Sequence, residues 1–519
     1  MCGIFCLLNN DLSVYDKSFI NKQFIKGVGR GPESSILNDD FHDKCIFGFH
    51  RLAINGLNNI SNQPIVINDI LLICNGEIYN YKELYKMIDV KNTTDSDCEI
   101  IIHLYRKYGI EQTLQMIDGV FSFILCDLSL NELYVARDPF GVRPLYVLTN
   151  DIYINFASEL KMLSEFNGDI KHFTPGSYSI YDYKNNIWKL SLENKIYHTT
   201  SFPCIDNVDN VYHNIRKYLT NAVKKRVFVS DRPIACLLSG GLDSSLITAL
   251  VNEYYYNKDR KLQTFSIGMH GSDDLKNARI VSEYLNTEHY EILLTEDDFF
   301  NAIPEVIKAI ESYDTTTVRA SIGNYLVGKY ISENSDAKVI FNGDGSDELC
   351  GGYLYMHLVP DSVEFDKESR RLLKDIHLFD VLRSDKCISS HGLEPRTPFL
   401  DRSWTQYYLS IDPNLRNHTL NKNCEKFLLR NAFSNNDLLP DSILYRRKEA
   451  FSDAVSHIDR SLYKIIQEKV KEKYNMSETE YYKHLFNEYY PGRENIVPYF
   501  WNHQYVVSND PSARTLNIY

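Results

Sequence analysis

The chain has 519 residues, 44% of them hydrophobic and 24% charged, and 56 Lys and Arg against 69 Asp and Glu give a formal net charge of −13. The apolar fraction excludes a disordered chain, and the length exceeds what one hydrophobic core holds, which predicts two or more domains. The acidic balance argues against nucleic-acid binding but leaves room for a small, locally basic phosphate site.

No apolar run approaches the roughly 20 residues of a membrane span. The first residues lack the basic-then-apolar pattern of a secretory signal. Eleven cysteines carry no C-x-x-C pair and no zinc-like spacing, so reduced thiols in the cytoplasm are expected. Cys74, Cys126 and Cys236 sit inside apolar runs and read as small core residues. Cys2 stands apart, directly after Met1.

In chain order, strands are predicted at 45–49, 70–74, 120–127, 133–138 and 152–157, and helices at 97–108 and 110–118. Strands this close in sequence favour antiparallel pairing. Residues 198–210 lack periodicity and carry turn residues, so they read as a linker between domains at 2–197 and 211–519. The rhythm then changes. A helix at 211–227 precedes a strand at 233–238, a Gly-rich turn and a helix from about Ser245. A strand at 264–268, a helix at 277–285 and a strand at 338–341 follow, the last before a second Gly-rich turn. This alternation predicts a parallel sheet with crossover helices and a ligand at the carboxyl ends of its strands. Beyond about residue 360 the pattern is mostly helical.

Removal of Met1 would give Cys2 a free α-amine. An amine titrating near ~8 beside a thiol near ~8.5 makes proton transfer between them almost isoenergetic, which suits acyl transfer through a thioester. Taken alone, a cysteine at position 2 is a weak signal. An oxyanion needs donors, and Asn75-Gly76 follows an apolar strand. The ammonium and carboxylate of an amino-acid substrate need partners such as Asp97 and Arg51, although each of these alone also suits a solvated surface position.

MCGIF, Arg30-Gly31-Pro32, Arg51-Leu52-Ala53-Ile54, NGEIYN (75–80), SDCE (96–99), ARDPFGVRPLY (136–146) and ASELK (157–161) occur in this order. Together they resemble the glutaminase domain of class II, N-terminal-nucleophile (Ntn) amidotransferases. The resemblance implies an αββα sandwich with antiparallel sheets, Cys2 as nucleophile, and Asn75 and Gly76 as oxyanion hole. It further implies glutamine binding by Arg51, Leu52, Ala53, Ile54, Asn55, Glu77 and Asp97. Two departures stand out. Val28-Gly29-Arg30-Gly31-Pro32-Glu33 replaces the family's Arg-His-Arg-Gly-Pro-Asp, and His50 stands where Glu is usual.

Ser239-Gly240-Gly241-Leu242-Asp243-Ser244-Ser245 lies between a predicted strand and helix. Backbone N–H groups at such a turn bind anions, although a well-capped polar turn would look similar. Asp243 would repel phosphate unless a cation bridges them, which suggests Mg²⁺. The loop is similar to the pyrophosphate loop of ATP pyrophosphatases. With TFSIG (264–268), ESYDTTTVRAS (311–321), GDGSDELCGGYLYMH (343–357), HGLEPRTPFLD (391–401) and RRKEAFSD (446–453), the whole chain resembles the glutamine-hydrolysing asparagine synthetase family.

That resemblance implies an α+β front half, an α/β back half with a helical extension, and ATP and Mg²⁺ as co-substrate and cofactor. Leu238, Ser239, Gly240, Gly241, Asp243, Ser244, Ile267, Asn342 and Gly343 are then expected at ATP and pyrophosphate. Asp243 and Asp347 are expected at the metal, Thr316 and Arg319 at aspartate, and Asp344 and Lys448 in catalysis. Asp344 stands where the family has Glu, and Ser321-Ile322-Gly323-Asn324 replaces the usual Ser-Thr-Pro-Met. The expected partners are small molecules, with no nucleic acid and no membrane, and a homodimer as the assembly. Two alternatives stay open: an amidotransferase for another carboxylate, and a non-catalytic nucleotide-binding descendant.

Overall fold

The computed structural model describes residues 2–10, 13–42, 44–200, 207–255, 260–421, 423–434, 436–457, 460–508 and 510–516. Residues 201–206 of the predicted linker lie outside them. The chain forms two units. The first runs to Thr199 and gathers in Ser389–Leu393 and Tyr490–Ile496; the second holds the rest.

The first unit contains β1 (Gly3–Leu8), β2 (Ser34–His42), β3 (Cys45–Arg51), β4 (Ile65–Ile67), β5 (Ile70–Ile78), β6 (Gly119–Asp127), β7 (Glu132–Arg137), β8 (Tyr146–Thr149), β9 (Ile154–Ala157), β10 (Asp169–His172), β11 (Ser177–Lys184) and β12 (Ile187–Ile196). They form two six-stranded sheets, ordered β10-β8-β9-β1-β3-β2 and β12-β11-β7-β6-β5-β4, with antiparallel pairing. Side chains alternate faces along a strand. Ile4, Cys6 and Leu8 of β1 and Phe47 and Phe49 of β3 therefore meet Leu71 and Ile73 of β5 and Ile124 and Cys126 of β6 between the sheets. The alternate residues Leu72, Cys74, Phe123 and Leu125 point outward and pack on α2 (Tyr81–Ile88) and α3 (Ile100–Met116). On the far face, Phe24 of α1 (Lys17–Ile25) lies 6.0 Å from the Phe5 ring. This is the expected helix–sheet–sheet–helix layering. The predicted break between helices 97–108 and 110–118 falls at Gly109, whose φ of 77° is non-helical inside α3.

The second unit opens with α4 (Val208–Phe228) and builds a parallel sheet from β13 (Ile234–Leu237), β14 (Gln263–Gly268), β15 (Glu288–Leu293), β16 (Val339–Phe341) and β17 (Glu394–Arg396). Its order is β15-β14-β13-β16-β17, every pair parallel. The chain leaves β13 toward one edge and returns to its other side at β16. A topological switch point therefore lies at the carboxyl ends of β13 and β16, where ligands bind in such sheets. β15 and β17 escape sequence reading because they are edge strands. One is half polar, and the other is three residues long with Pro395 inside, which only an edge or a strand start accommodates. The predicted helical extension is present, from Ser362–Asp375 through Glu478–Tyr489. Among the described residues no helix is long and apolar enough to cross a membrane.

Candidate active sites

In the first unit the chain enters β1 directly after Cys2. The half-buried Cys2 thiol sits 3.6 Å from the Leu52 carbonyl. Arg30, 1% exposed, donates its Nε to the Cys2 carbonyl at 2.9 Å. Its Nη1 reaches Glu159 Oε1 at 2.8 Å and Ser389 Oγ at 3.0 Å. Arg51 donates to the Asn58 carbonyl at 2.9 Å, to Asn62 Oδ1 at 2.6 Å and to the Gly56 carbonyl, which shapes the loop after β3. Leu52, Ala53 and Ile54 are buried in that loop, and Asn55 Nδ2 donates to Glu77 Oε2 at 2.6 Å. Asp97 Oδ2 accepts from Ile78 N at 2.6 Å. A continuous chain of contacts thus links Cys2, the 51–55 loop, β5 and Asp97.

Asn75 is fully buried, and neither polar atom of its side-chain amide has a hydrogen-bond partner among the described residues. A buried amide without a partner costs on the order of 1–3 kcal/mol, so the Asn75 amide keeps hydrogen-bonding capacity that a ligand could use. Gly76 follows. A Cβ there would overlap the Val120 carbonyl and Phe121 Cα, so only glycine keeps β5 in register with β6.

The two family departures have local explanations. His50 is buried, stacked 3.9 Å from Phe24, with Nε2 2.8 Å from the Phe24 carbonyl and Nδ1 2.7 Å from Ser35 Oγ. Burial pushes its pKa down to about 4, so it serves as a neutral core residue. Glu33 Oε2 accepts from Ala53 N at 2.8 Å, tethering the 31–33 turn to the 51–55 loop. Arg30 and Glu159 were legible only as motif letters; their buried pairing at the Cys2 backbone was not.

In the second unit the loop between β13 and α5 (Leu242–Tyr254) turns at Gly240, with φ +70°. A Cβ on Gly240 would overlap Asn277 and the Ala278 nitrogen. Ser239 Oγ and Ser244 Oγ lie 2.9 Å apart, and Gly241 N donates to Ser239 Oγ at 3.3 Å. A cavity opens over this loop, lined by Leu238, Ser239, Gly241, Asp243, Ser244, Ile267, Thr316, Asn342, Gly343, Asp344, Asp347 and Lys448, among others. Of the residues expected at ATP, only Gly240 is missing from the wall, being packed beneath it.

Asp243 and Asp347 converge. Lys426 Nζ lies 2.5 Å from Asp243 Oδ2 and 2.6 Å from Asp347 Oδ1, and Lys448 Nζ lies 2.6 Å from Asp347 Oδ2. Burial opposes charge on Asp347, yet the two ammonium groups hold its carboxyl below the usual carboxylate range. Asp344 is the reverse. Burial raises it, and the Arg383 guanidinium at 3.2 Å only partly offsets this. Arg383 also holds Asp380 at 2.7 Å. Tyr353 donates to Glu348 at 2.5 Å and to Asp380 at 3.2 Å. Burial and the neighbouring Asp380 raise Glu348 well above its ordinary value.

Thr316 lies on the cavity wall with its Oγ1 buried and unpaired among the described residues. Arg319 does not line the cavity. It makes paired contacts with Glu478 at 2.7 and 2.5 Å and with Asp510 at 2.9 and 2.9 Å, 4% exposed. Arg383 lines the cavity, as do Arg430, Arg446 and Arg447. Lys426, Arg383 and the wall residues Trp501 and Ala513 lie outside the motifs that carried the sequence reading.

The fold and the two sites define a two-part amidotransferase: an Ntn-type front unit with a thiol just ahead of its first strand, and a back unit with a glycine-rich loop at a parallel-sheet switch point. Comparison with known proteins agrees. The family model "Asparagine synthase" matches residues 214–364 and 357–509, and "Glutamine amidotransferase domain" matches 1–189. The chain is 42% identical to "Asparagine synthetase [glutamine-hydrolyzing]" of Gallus gallus over 565 residues, and 41% identical to that of Homo sapiens over 566. Each alignment covers 100% of this chain and 99% of the relative. A solved Bacillus subtilis glutamine phosphoribosylpyrophosphate amidotransferase covers 49% of this chain and 64% of its own, at 19% identity and a TM-score of 0.32; the sheet orders, not this overlap, carry the fold. The chain belongs to the glutamine-hydrolysing asparagine synthetase family.

Proposed function

We propose that this chain makes asparagine from aspartate, ATP and glutamine, releasing AMP, pyrophosphate and glutamate. The observation that carries the reading is the pairing, in one chain aligned end to end with asparagine synthetases, of a buried unpaired Asn75 amide with the Asp243–Asp347 pair above a phosphate loop.

In the front unit the Cys2 thiol passes its proton to its own α-amine and attacks the glutamine carboxamide. Asn75 Nδ2 and Gly76 N stabilise the oxyanion. Arg51, Glu77 and Asp97, with the 52–55 loop, orient the substrate. Ammonia leaves and water resolves the thioester to glutamate.

In the back unit the aspartate β-carboxylate attacks the α-phosphorus. The leaving pyrophosphate rests on the loop N–H groups, Ser239, Ser244 and Lys448. Adenosine lies by Leu238, Ile267, Asn342 and Gly343, and Thr316 with Arg383 faces the acceptor. Ammonia then displaces AMP from the acyl-adenylate. Asp344, protonated more readily than an ordinary carboxyl, sits on the wall as acceptor of ammonia's proton.

Among the described residues no group of three or more His, Cys, Asp or Glu side chains gathers as a metal site. Mg²⁺ is instead held by one or two carboxylates with phosphate oxygens, and Asp243 with Asp347 fits that donor set. Asp347 Oδ1 is buried without an aligned hydrogen-bond donor. Bound there, Mg²⁺ supplies neutralising charge to the pyrophosphate. A cytoplasmic homodimer remains the proposed setting, checked by sedimentation and imaging.

The test is product analysis with MgATP, aspartate and glutamine. AMP and asparagine in equal amounts are expected; ADP, or no asparagine, rejects the reading. Cys2→Ala is expected to abolish glutamine use and to spare synthesis from ammonia. Intact mass lacking Met1 is required, since a retained methionine removes the amine.

A further inference from the structure

We propose that Lys426 is a built-in cation of the synthetase site, holding Asp243 and Asp347 together so that the pair does not take a free divalent ion in the absence of nucleotide. The inference rests on the reading of Asp243 and Asp347 as the metal carboxylates and deepens it.

Two carboxylates that converge in a buried site repel each other unless a cation lies between them. In most phosphate-handling sites that cation is a metal. Here the Lys426 ammonium bridges them, 2.5 Å from Asp243 Oδ2 and 2.6 Å from Asp347 Oδ1. The other oxygen of each carboxylate is also engaged. Asp243 Oδ1 accepts from Ser346 Oγ at 2.8 Å, and Asp347 Oδ2 accepts from Lys448 at 2.6 Å. The contact to Asp347 Oδ1 lies within ion-pair distance but outside hydrogen-bond alignment. It is held by charge rather than direction, as a point charge would be.

The backbone is arranged for this contact. Lys426 sits in the left-handed region at φ 58°, where few non-glycine residues go. Its side chain is 1% exposed, so the ammonium has no solvent to turn to. A Cβ on Gly352 would overlap both Asp347 Oδ1 and Lys426 Cε, and a Cβ on Gly343 would come within 2.8 Å of Asp243 Cβ. Two glycines therefore leave the room that the bridge needs. The consequence is selective. A divalent ion that arrives alone must displace a paired ammonium, whereas one that arrives on a triphosphate brings oxygen ligands and an alternative anion for Lys426.

The experiment is an electron paramagnetic resonance titration of Mn²⁺ against the full chain without nucleotide. Wild type and Lys426→Arg are expected to bind weakly. Lys426→Met is expected to gain one site about tenfold tighter or more, lost again when Asp347→Asn is added. Lys426→Gln, smaller and polar, serves if the Met variant does not fold. A folded neutral variant, by circular dichroism and melting, that gains no Mn²⁺ site overturns the inference. So does a wild type that binds Mn²⁺ as tightly as the variant. A parallel titration with pyrophosphate separates the underlying reading. Wild type should then bind Mn²⁺ and Asp347→Asn should not; if both bind equally, the metal assignment itself falls.

Discussion

Arg30 donates its Nε to the backbone carbonyl of Cys2 at 2.9 Å while its Nη1 lies 2.8 Å from Glu159. The first residues of a chain are ordinarily loose. Here a buried, paired guanidinium fixes the carbonyl of Cys2, the residue proposed to carry both nucleophile and base. Misplacing a reacting group by about 1 Å costs on the order of 100-fold. Arg30→Lys keeps the charge beside Glu159 but loses the fork. It is expected to lower glutaminase kcat at least about tenfold while synthesis from ammonia stays within about twofold. Equal loss of both activities would mean that Arg30 supports the fold, not the nucleophile.

Asn75 has no hydrogen-bond partner for either side-chain atom among the described residues. Removing it costs the fold little and should even relieve a buried polar burden. Removing one oxyanion donor lowers kcat by about 100- to 1,000-fold. Asn75→Ala is therefore expected to keep or raise the melting temperature and to lose glutamine hydrolysis by that factor, with KM for glutamine little changed. A KM effect alone would assign Asn75 to ground-state binding.

Most of this arrangement was legible in the sequence because it rests on local chemistry. The run at 70–74 marks β5, and the Gly-rich turn after 233–238 marks the phosphate loop, since glycine positions follow from backbone approach. What sequence did not show depends on long-range packing. β15 and β17 are edges without a buried alternating face. Lys426 lies 183 residues from Asp243, and nothing in its neighbourhood announces the bridge. The same limit explains Arg319, which sits in a motif with Thr316 and so looked like a substrate ligand. One turn of helix separates a residue on the cavity wall from one facing the tail.

Arg319 is accordingly expected to act on stability. Its guanidinium meets two carboxylates, Glu478 and Asp510. Breaking a buried pair from one side typically costs about 3–5 kcal/mol, because the partner charge stays buried. Arg319→Met should lower the denaturant midpoint sharply, with KM for aspartate unchanged in the surviving folded fraction. Arg383→Met, which also breaks the pairs with Asp344 and Asp380, should by contrast raise KM for aspartate in the folded fraction. If Arg319→Met instead raises that KM while the midpoint holds, the guanidinium reaches substrate after all.

Asp344 is one methylene shorter than the family's Glu and lies 3.2 Å from Arg383. Its raised pKa, caused by burial, means that the ionised acceptor is lost at a higher pH than for an ordinary carboxylate. The acid limb of ammonia-dependent kcat should therefore lie above the ordinary aspartate value of 3.8, and Asp344→Asn should remove that limb together with most of the rate. Asp344→Glu tests reach. A rise in kcat means that the short side chain limits the step, and a fall means that the backbone has closed in around it.

His50 gives a prediction about acid stability. Its folded pKa is about 4 against an ordinary 6.5, because burial disfavours the imidazolium. Between those values the unfolded chain binds the proton and the folded chain does not, so stability rises with pH across that window and is fully present above it. The difference amounts to about 3 kcal/mol over the whole window, of which about 2 kcal/mol is gone by pH 5. Burial outweighs the two groups that favour the imidazolium, the Phe24 carbonyl and Glu159. His50→Gln cannot titrate. It should be less stable than wild type at pH 7.5, having lost the ring stack, and should close most of that gap by pH 5. Guanidinium midpoints of the full chain at the two pH values, followed by a front-unit probe such as glutaminase activity, read the outcome. A gap that widens toward pH 5 would mean that His50 is charged in the folded chain, and Glu159 would then be the carboxylate to test beside it.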